Sequence, residues 1–139
     1  MSREILFRGK RIDNCEWVEG YYVCLNGNEH RIYSGYAETD CGTYYPGYAT
    51  IDHTTVGQYA GLNDLTGKRF FDGDIFRFYD DDGDYSIYKV QWLVSDNFCG
   101  WAYIDAVGHV DTFVDFIAER SEIISNIYDK PELLEGVAK

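Results

Sequence analysis

The sequence predicts a mainly β protein: a small barrel or strongly bent antiparallel sheet, with a short helical segment near the C-terminus. Three observations carry this reading. Aromatic residues are dense, with 13 Tyr, 8 Phe and 3 Trp among 139 residues. Tyr suits a half-buried strand face, where its ring packs and its hydroxyl stays wet. Fourteen glycines punctuate short apolar runs, and a helical apolar period occurs only in a short piece around 111–119. Residues 75–104 alternate with period two around turn-forming Asp, Asn and Gly, the pattern of a half-buried antiparallel meander.

A chain of this length is expected to form a single domain, 1–139, and to bury enough surface to fold without a metal or disulfide. Hydrophobic residues at 45% and charged residues at 26% match a globular domain rather than a disordered one.

Taken in order, Arg3–Lys10 reads as a first strand and Asp13-Asn14-Cys15 as a turn. Trp17–Leu25 is a second strand, in which Gly20 marks a bulge or a close backbone approach. Asn26-Gly27-Asn28 is a hairpin turn leading to a return strand, Glu29–Tyr33. Residues 34–50, rich in Gly and Tyr, read as irregular, with strand pieces near Tyr44–Tyr45 and Tyr48–Ile51. The glycine-rich centre, Thr55–Phe78, begins with a short strand at Val56–Tyr59. Leu62–Lys68 reads as a tight turn or one helical turn, with Asp64 as its cap and Gly67 left-handed. Phe70 and Phe71 are core residues, and Asp72-Gly73-Asp74 turns the chain into Ile75–Tyr79.

The meander follows as Ile75–Tyr79, Tyr85–Ser95 and Phe98–Ile104. In its second strand Tyr88, Val90, Trp92 and Val94 share one face. Asp111–Glu119 reads as a short helix capped by Asp111, Glu122–Tyr128 as a last strand, and Pro131–Leu134 as a helical turn with Pro in its first position.

Net charge is −12, from 12 Lys and Arg against 24 Asp and Glu. That balance disfavours direct nucleic-acid binding and an anionic membrane surface. It suits solubility, or a partner with a basic surface. Cys15, Cys24, Cys41 and Cys99 have no zinc-knuckle or thioredoxin spacing. The start MSREILFRGK holds no apolar leader, so reduced thiols in a cytoplasm are expected.

No motif points to a catalytic or cofactor site. Asp80–Asp84 fails the EF-hand spacing, because counting back from Gly83 puts position 1 at Phe78. Gly67-Lys68 lacks the upstream glycine of a phosphate loop, since position 62 is Leu. GxSxG and HExxH are absent. His30, His53 and His109 are far apart; they read as ordinary strand or loop histidines, with convergence beside a cysteine as metal ligands the alternative. Gln58, Tyr59, Asp64, Lys68, Asp72 and Asp74 crowd the glycine-rich centre and are the first place to look for a site. Turn geometry accounts for the same residues.

Three ordered segments resemble the YopX family of phage and prophage proteins. They are Arg3-Glu4-Ile5 with Phe7-Arg8-Gly9-Lys10; Val56–Leu62 running on to Asp72-Gly73-Asp74-Ile75; and Glu122–Tyr128 followed by Pro131-Glu132-Leu133-Leu134. Cys15 stands where the family often has Gly, Ala60 where it often has Thr, Asp72 for Glu and Ser125 for Gly. The resemblance implies a mainly β fold and an origin in a bacteriophage or prophage. It carries over no catalytic residues.

The expectation is therefore a non-enzymatic acidic accessory module that binds a protein of host or phage, or associates with itself, without cofactor or metal, in the bacterial host cytoplasm. The alternatives are a small-ligand protein or enzyme with a pocket near residues 56–75, and a structural homo-oligomeric phage component.

Overall fold

The computed structural model describes residues 4–38 and 44–136. They form ten strands and two short helices, in two compact units, Met1–Tyr59 and Ala60–Lys139. The boundary falls inside one long strand.

In the first unit, β1 (Phe7–Arg11), β2 (Trp17–Leu25), β3 (Glu29–Glu38) and the first part of β4 (Tyr44–Asn63) pair antiparallel in that order. β1 also pairs with β4, so Phe7 has Gly20 on one side and Gln58 on the other. The four strands close into a ring. Ile32 and Ile51 are buried within it. A Cβ on Gly9 would stand 2.8 Å from Ile51 and 3.3 Å from Ile32, so the glycine lets these two side chains approach the backbone.

The β2–β3 hairpin turns at Asn26 (φ 54°) and Gly27 (φ 76°), with the Asn28 N–H donating to the Leu25 carbonyl at 3.2 Å. Two left-handed central residues define the type I′ turn that suits twisted strands. Gly20 is the expected close approach: a Cβ there would lie 2.2 Å from the Tyr33 carbonyl oxygen. β3 shifts register between Tyr33 and Gly35, and the missing side chain makes room for that irregularity.

In the second unit the end of β4 is followed by β5 (Arg69–Phe71), its partner. A separate antiparallel sheet has the order β10-β6-β7-β8-β9. Its strands are β6 (Asp74–Tyr79), β7 (Tyr85–Val94), β8 (Cys99–Ile104), β9 (Val110–Thr112) and β10 (Ser121–Asn126). Helix α1 (Asp115–Glu119) precedes β10, and α2 (Glu132–Gly136) follows it.

The core of this unit is aromatic. Phe70 meets Phe76 edge-on at 5.2 Å and Phe113 at 4.9 Å, the T-shaped geometry that ring quadrupoles favour. Val90, Ile117, Ala118 and Ile123 complete it.

Three loops of this unit share one construction. In Asp64–Lys68, Asp80–Asp84 and Asp105–His109 the first residue is Asp and the fourth is Gly. The Gly is left-handed each time: Gly67 at 90°, Gly83 at 85° and Gly108 at 98°. The Asp N–H donates to the carbonyl of the fifth residue, and the Gly N–H donates to the Asp carbonyl. One carboxylate oxygen of the Asp accepts the N–H of the third and fifth residues, all at 2.9–3.0 Å. This is a tight turn closed by a left-handed glycine, held from inside by its own Asp.

The fold class and the meander agree with the sequence expectation, and four corrections follow. Residues 34–50 are not irregular where described: they belong to β3 and to the 20-residue β4, and Val56–Tyr59 lies inside β4. Residues 39–43, with Cys41, fall outside the described part. Of the expected strand Arg3–Lys10, Arg3 falls outside the described part, residues 4–6 are not strand, and β1 starts at Phe7 and runs on to Arg11. Of the two readings of Leu62–Lys68, the tight turn is the one formed, closed by Gly67. The helix expected from Asp111 begins only at Asp115, with Val114 at its N-cap and no side-chain cap. Asp111 instead sits in β9, which the sequence reading missed, and its carboxylate accepts the Thr112 N–H at 2.8 Å. The shared face of β7 is buried only in part: Val90 is fully covered, whereas Trp92 is 47% and Val94 67% exposed.

Candidate functional site

The polar residues of the glycine-rich centre serve the backbone. Asp64 is buried. One of its carboxylate oxygens accepts the Thr66 and Lys68 N–H groups and the Thr66 hydroxyl. The other accepts the Ile123 N–H at 3.0 Å, 59 residues away. Burial alone raises a carboxyl pKa. Here the hydrogen bonds from Ile123, Thr66 and Lys68 outweigh it, and Asp64 is held below the usual carboxylate range.

Asp74 is 1% exposed, and its carboxylate accepts the Phe71 N–H at 2.7 Å. Between them, Gly73 (φ 93°) donates its N–H to Val90 and accepts that of Ile127. Asp72 is half-buried and Lys68 is exposed. Gln58 and Tyr59 belong to the first unit, where Tyr59 is buried and its N–H donates to the Leu6 carbonyl at 2.8 Å. The structure thus joins Asp64 to Lys68 through one turn and gives Asp74 a turn of its own. A depression of about 380 Å³ lies elsewhere, lined by Arg11, Asp13, Tyr48 and Thr50. Arg11 and Asp13 there bind each other at 2.8 Å.

Of the three histidines, His109 stands apart, its Nδ1 2.9 Å from Asp105. His30 and His53 stack with ring centroids 4.7 Å apart and planes 21° apart. Cys24 stands opposite His30 across the β2–β3 hairpin, with Sγ 4.0 Å from Nε2. The sequence separations of 6 and 23 residues hid this grouping, which only the hairpin and β4 assemble. Imidazole lone pairs lie in the ring plane, so stacked rings do not aim them at one ion. Among the described residues no three His, Cys, Asp or Glu side chains converge as metal ligands.

The largest concentration of charge and exposed apolar surface is in the second unit. Residues 60–139 hold 16 of the 24 acidic residues and 7 of the 12 basic ones. Trp92 packs edge-on against Trp101 at 5.5 Å, and Val94 lies beyond it on the same face of β7. The β7–β8 hairpin therefore ends in an apolar tip, next to the exposed turn residue Asp96. Contact surfaces favour large aromatics that are half-covered in this way.

A two-sheet, mainly β protein with an acidic second unit is the class that fold and surface define. The family model described as YopX protein matches residues 6–135, and the chain belongs to that family. Among solved structures, the crystal structure of protein EF1440 from Enterococcus faecalis is similar, with a TM-score of 0.60 at 22% identity. The match covers 96% of this chain and 99% of that one, and it shows a shared fold. No curated protein matches the chain. No helix among the described residues is long and apolar enough to cross a membrane.

Proposed function

We propose that the protein is a non-enzymatic accessory module of phage or prophage origin, acting in the cytoplasm of a bacterial host by binding a protein with a basic surface. The observation that supports this reading is the apolar tip of the β7–β8 hairpin in the unit that holds most of the acidic surplus. Trp92, Val94 and Trp101 supply the area that is removed from water on contact. Asp96 beside the tip and the acidic surplus of the unit as a whole steer a basic partner and make its capture sensitive to salt.

The test is a pull-down from host lysate at about 50 and about 300 mM salt, with the native protein and with Val94→Lys. Val94 is mostly exposed, so its replacement leaves the fold intact. The reading predicts one basic protein that the native chain retains at low salt, and that both high salt and Val94→Lys release. Retention that is indifferent to the substitution argues against the tip. Recovery of the protein alone as a defined oligomer favours self-association instead.

A further inference from the structure

We propose that Cys24 is a thiol-exchange site, its proton taken by His30 and the resulting imidazolium held by Tyr22, with low-molecular-weight disulfides as the class of co-reactant. The three residues lie on the β2–β3 hairpin. Cys24 and His30 form a directly opposed cross-strand pair, and Tyr22 precedes Cys24 by two residues and so shares its face. Cys24 Sγ is 4.0 Å from His30 Nε2. The other ring nitrogen, Nδ1, is 2.5 Å from the Tyr22 hydroxyl, with the two ring planes nearly parallel, 6° apart.

This is the nucleophile, base and orienting group of a general activated-nucleophile arrangement. Each member is placed for its part. Cys24 is exposed and reachable. His30 is half-buried and held between Tyr22 on one side and the stacked His53 ring on the other. Tyr22 is half-buried as well, and burial first, with the charge of Cys24 second, raises its pKa. The phenol therefore stays neutral, and its oxygen accepts the Nδ1–H of a protonated His30.

The exchange balances without any further reagent. The Cys24 thiol gives its proton to His30 Nε2. The thiolate attacks one sulfur of the disulfide R–S–S–R, forming the bond Cys24–S–S–R and breaking the original S–S bond. The leaving thiolate takes the proton back from Nε2 and departs as R–SH. Cys24 is oxidised to a mixed disulfide, and half of the small disulfide is reduced.

The same chain supplies the controls. Cys15 and Cys99 are also exposed and free, and among the described residues the histidine–sulfur contact is the one at Cys24. The probe is oxidised glutathione at neutral pH, with mixed-disulfide formation at each cysteine followed by peptide mass spectrometry over time. Cys24 is expected to react roughly ten-fold faster than Cys15 and Cys99, as a nucleophile with a base beside it does relative to one without. His30→Gln is expected to bring Cys24 down to their rate while leaving theirs unchanged, which also shows that the variant is folded. Tyr22→Phe keeps the ring and removes the hydroxyl, and is expected to give an intermediate rate. Equal rates at the three cysteines in the native protein overturn the proposal, as does a Cys24 rate that His30→Gln does not slow.

Discussion

Cys15 sits at φ 61°, in the left-handed region that side chains with a Cβ avoid. The turn forms around it regardless: the Arg11 N–H donates to the Glu16 carbonyl at 2.9 Å, and the Cys15 N–H to the Arg11 carbonyl at 3.0 Å. Glycine is the residue that such a position favours, and it is the one the YopX resemblance leads one to expect there. Cys15→Gly should therefore stabilise the protein by about 1 kcal/mol, the left-handed strain relieved less the added freedom of the unfolded chain. Urea denaturation measures it, and a loss of stability would show that the thiol makes a compensating contact. Asp64 is a different case, because its carboxylate ties one turn to a strand far along the chain. Asp64→Ala leaves three backbone N–H groups without their acceptor and should cost about 3 kcal/mol. Its folded pKa is lowered, so its contribution is complete above the unfolded carboxylate value of about 4 and fades as pH falls through the folded value below it. The stability gap between the native protein and Asp64→Asn should accordingly stay constant from neutrality down to about pH 4 and narrow below. A gap that widens in acid would reverse the sign of the shift. At this scale Gly20 was legible from a glycine inside a strand pattern. Asp64 was legible as a turn former, but its bond to Ile123 was not, because nothing local in a sequence announces a partner 59 residues away.

Among elements, the three Asp-x-x-Gly turns are alike in hydrogen bonding yet differ in setting. A Cβ at Gly67, Gly83 or Gly108 meets nothing within 4 Å, so replacing any of them by Ala tests backbone conformation alone. Each change should cost roughly 1 kcal/mol, and the three costs should agree closely; thermal unfolding of the three single variants decides. Unequal costs would mean that the surrounding loop, rather than φ, sets the penalty. In the meander the repeat marks where β6 ends and β7 begins, and Asp96-Asn97 marks the next turn, which is why those strands could be read from sequence; the same repeat at Asp105–His109 went unread, and β9 with it. β3 and β4 lack that punctuation. Their Gly and Tyr residues look like loop composition, and it is cross-strand pairing, Tyr33 with Tyr48 and Arg31 with Thr50, that holds them straight. Helix α1 was placed four residues early for a related reason. Asp111 has the chemistry of a cap, but β8 recruits its segment as β9, and sheet pairing outweighs a local signal for a five-residue helix.

For the whole molecule, charge is the property that composition makes plain. With 24 acidic and 12 basic residues and a pI near 4.4, the chains repel one another at neutral pH and lose that repulsion on acidification. Turbidity against pH should therefore peak close to the isoelectric point and clear again on either side; a protein that stays clear throughout would owe its solubility to something other than charge. What the sum could not reveal was its distribution, with twice as many acids in residues 60–139 as in the rest. The grouping of Cys24, His30 and Tyr22 was equally hidden, since it exists only once a hairpin has closed.

The ring in the first unit leaves a last mark on how this protein can go wrong. Because β1 bonds to both β2 and β4, the paired stretches Trp17–Gly20 of β2 and Ile51–Gln58 of β4 offer no bare margin there for another chain to copy. The second sheet ends openly at β10 and β9. At β9 the margin is three residues long, and the amide of Thr112 is already taken by the Asp111 carboxylate. At that short margin of the second sheet, Asp111 is the bolt on the door against a strand of another chain.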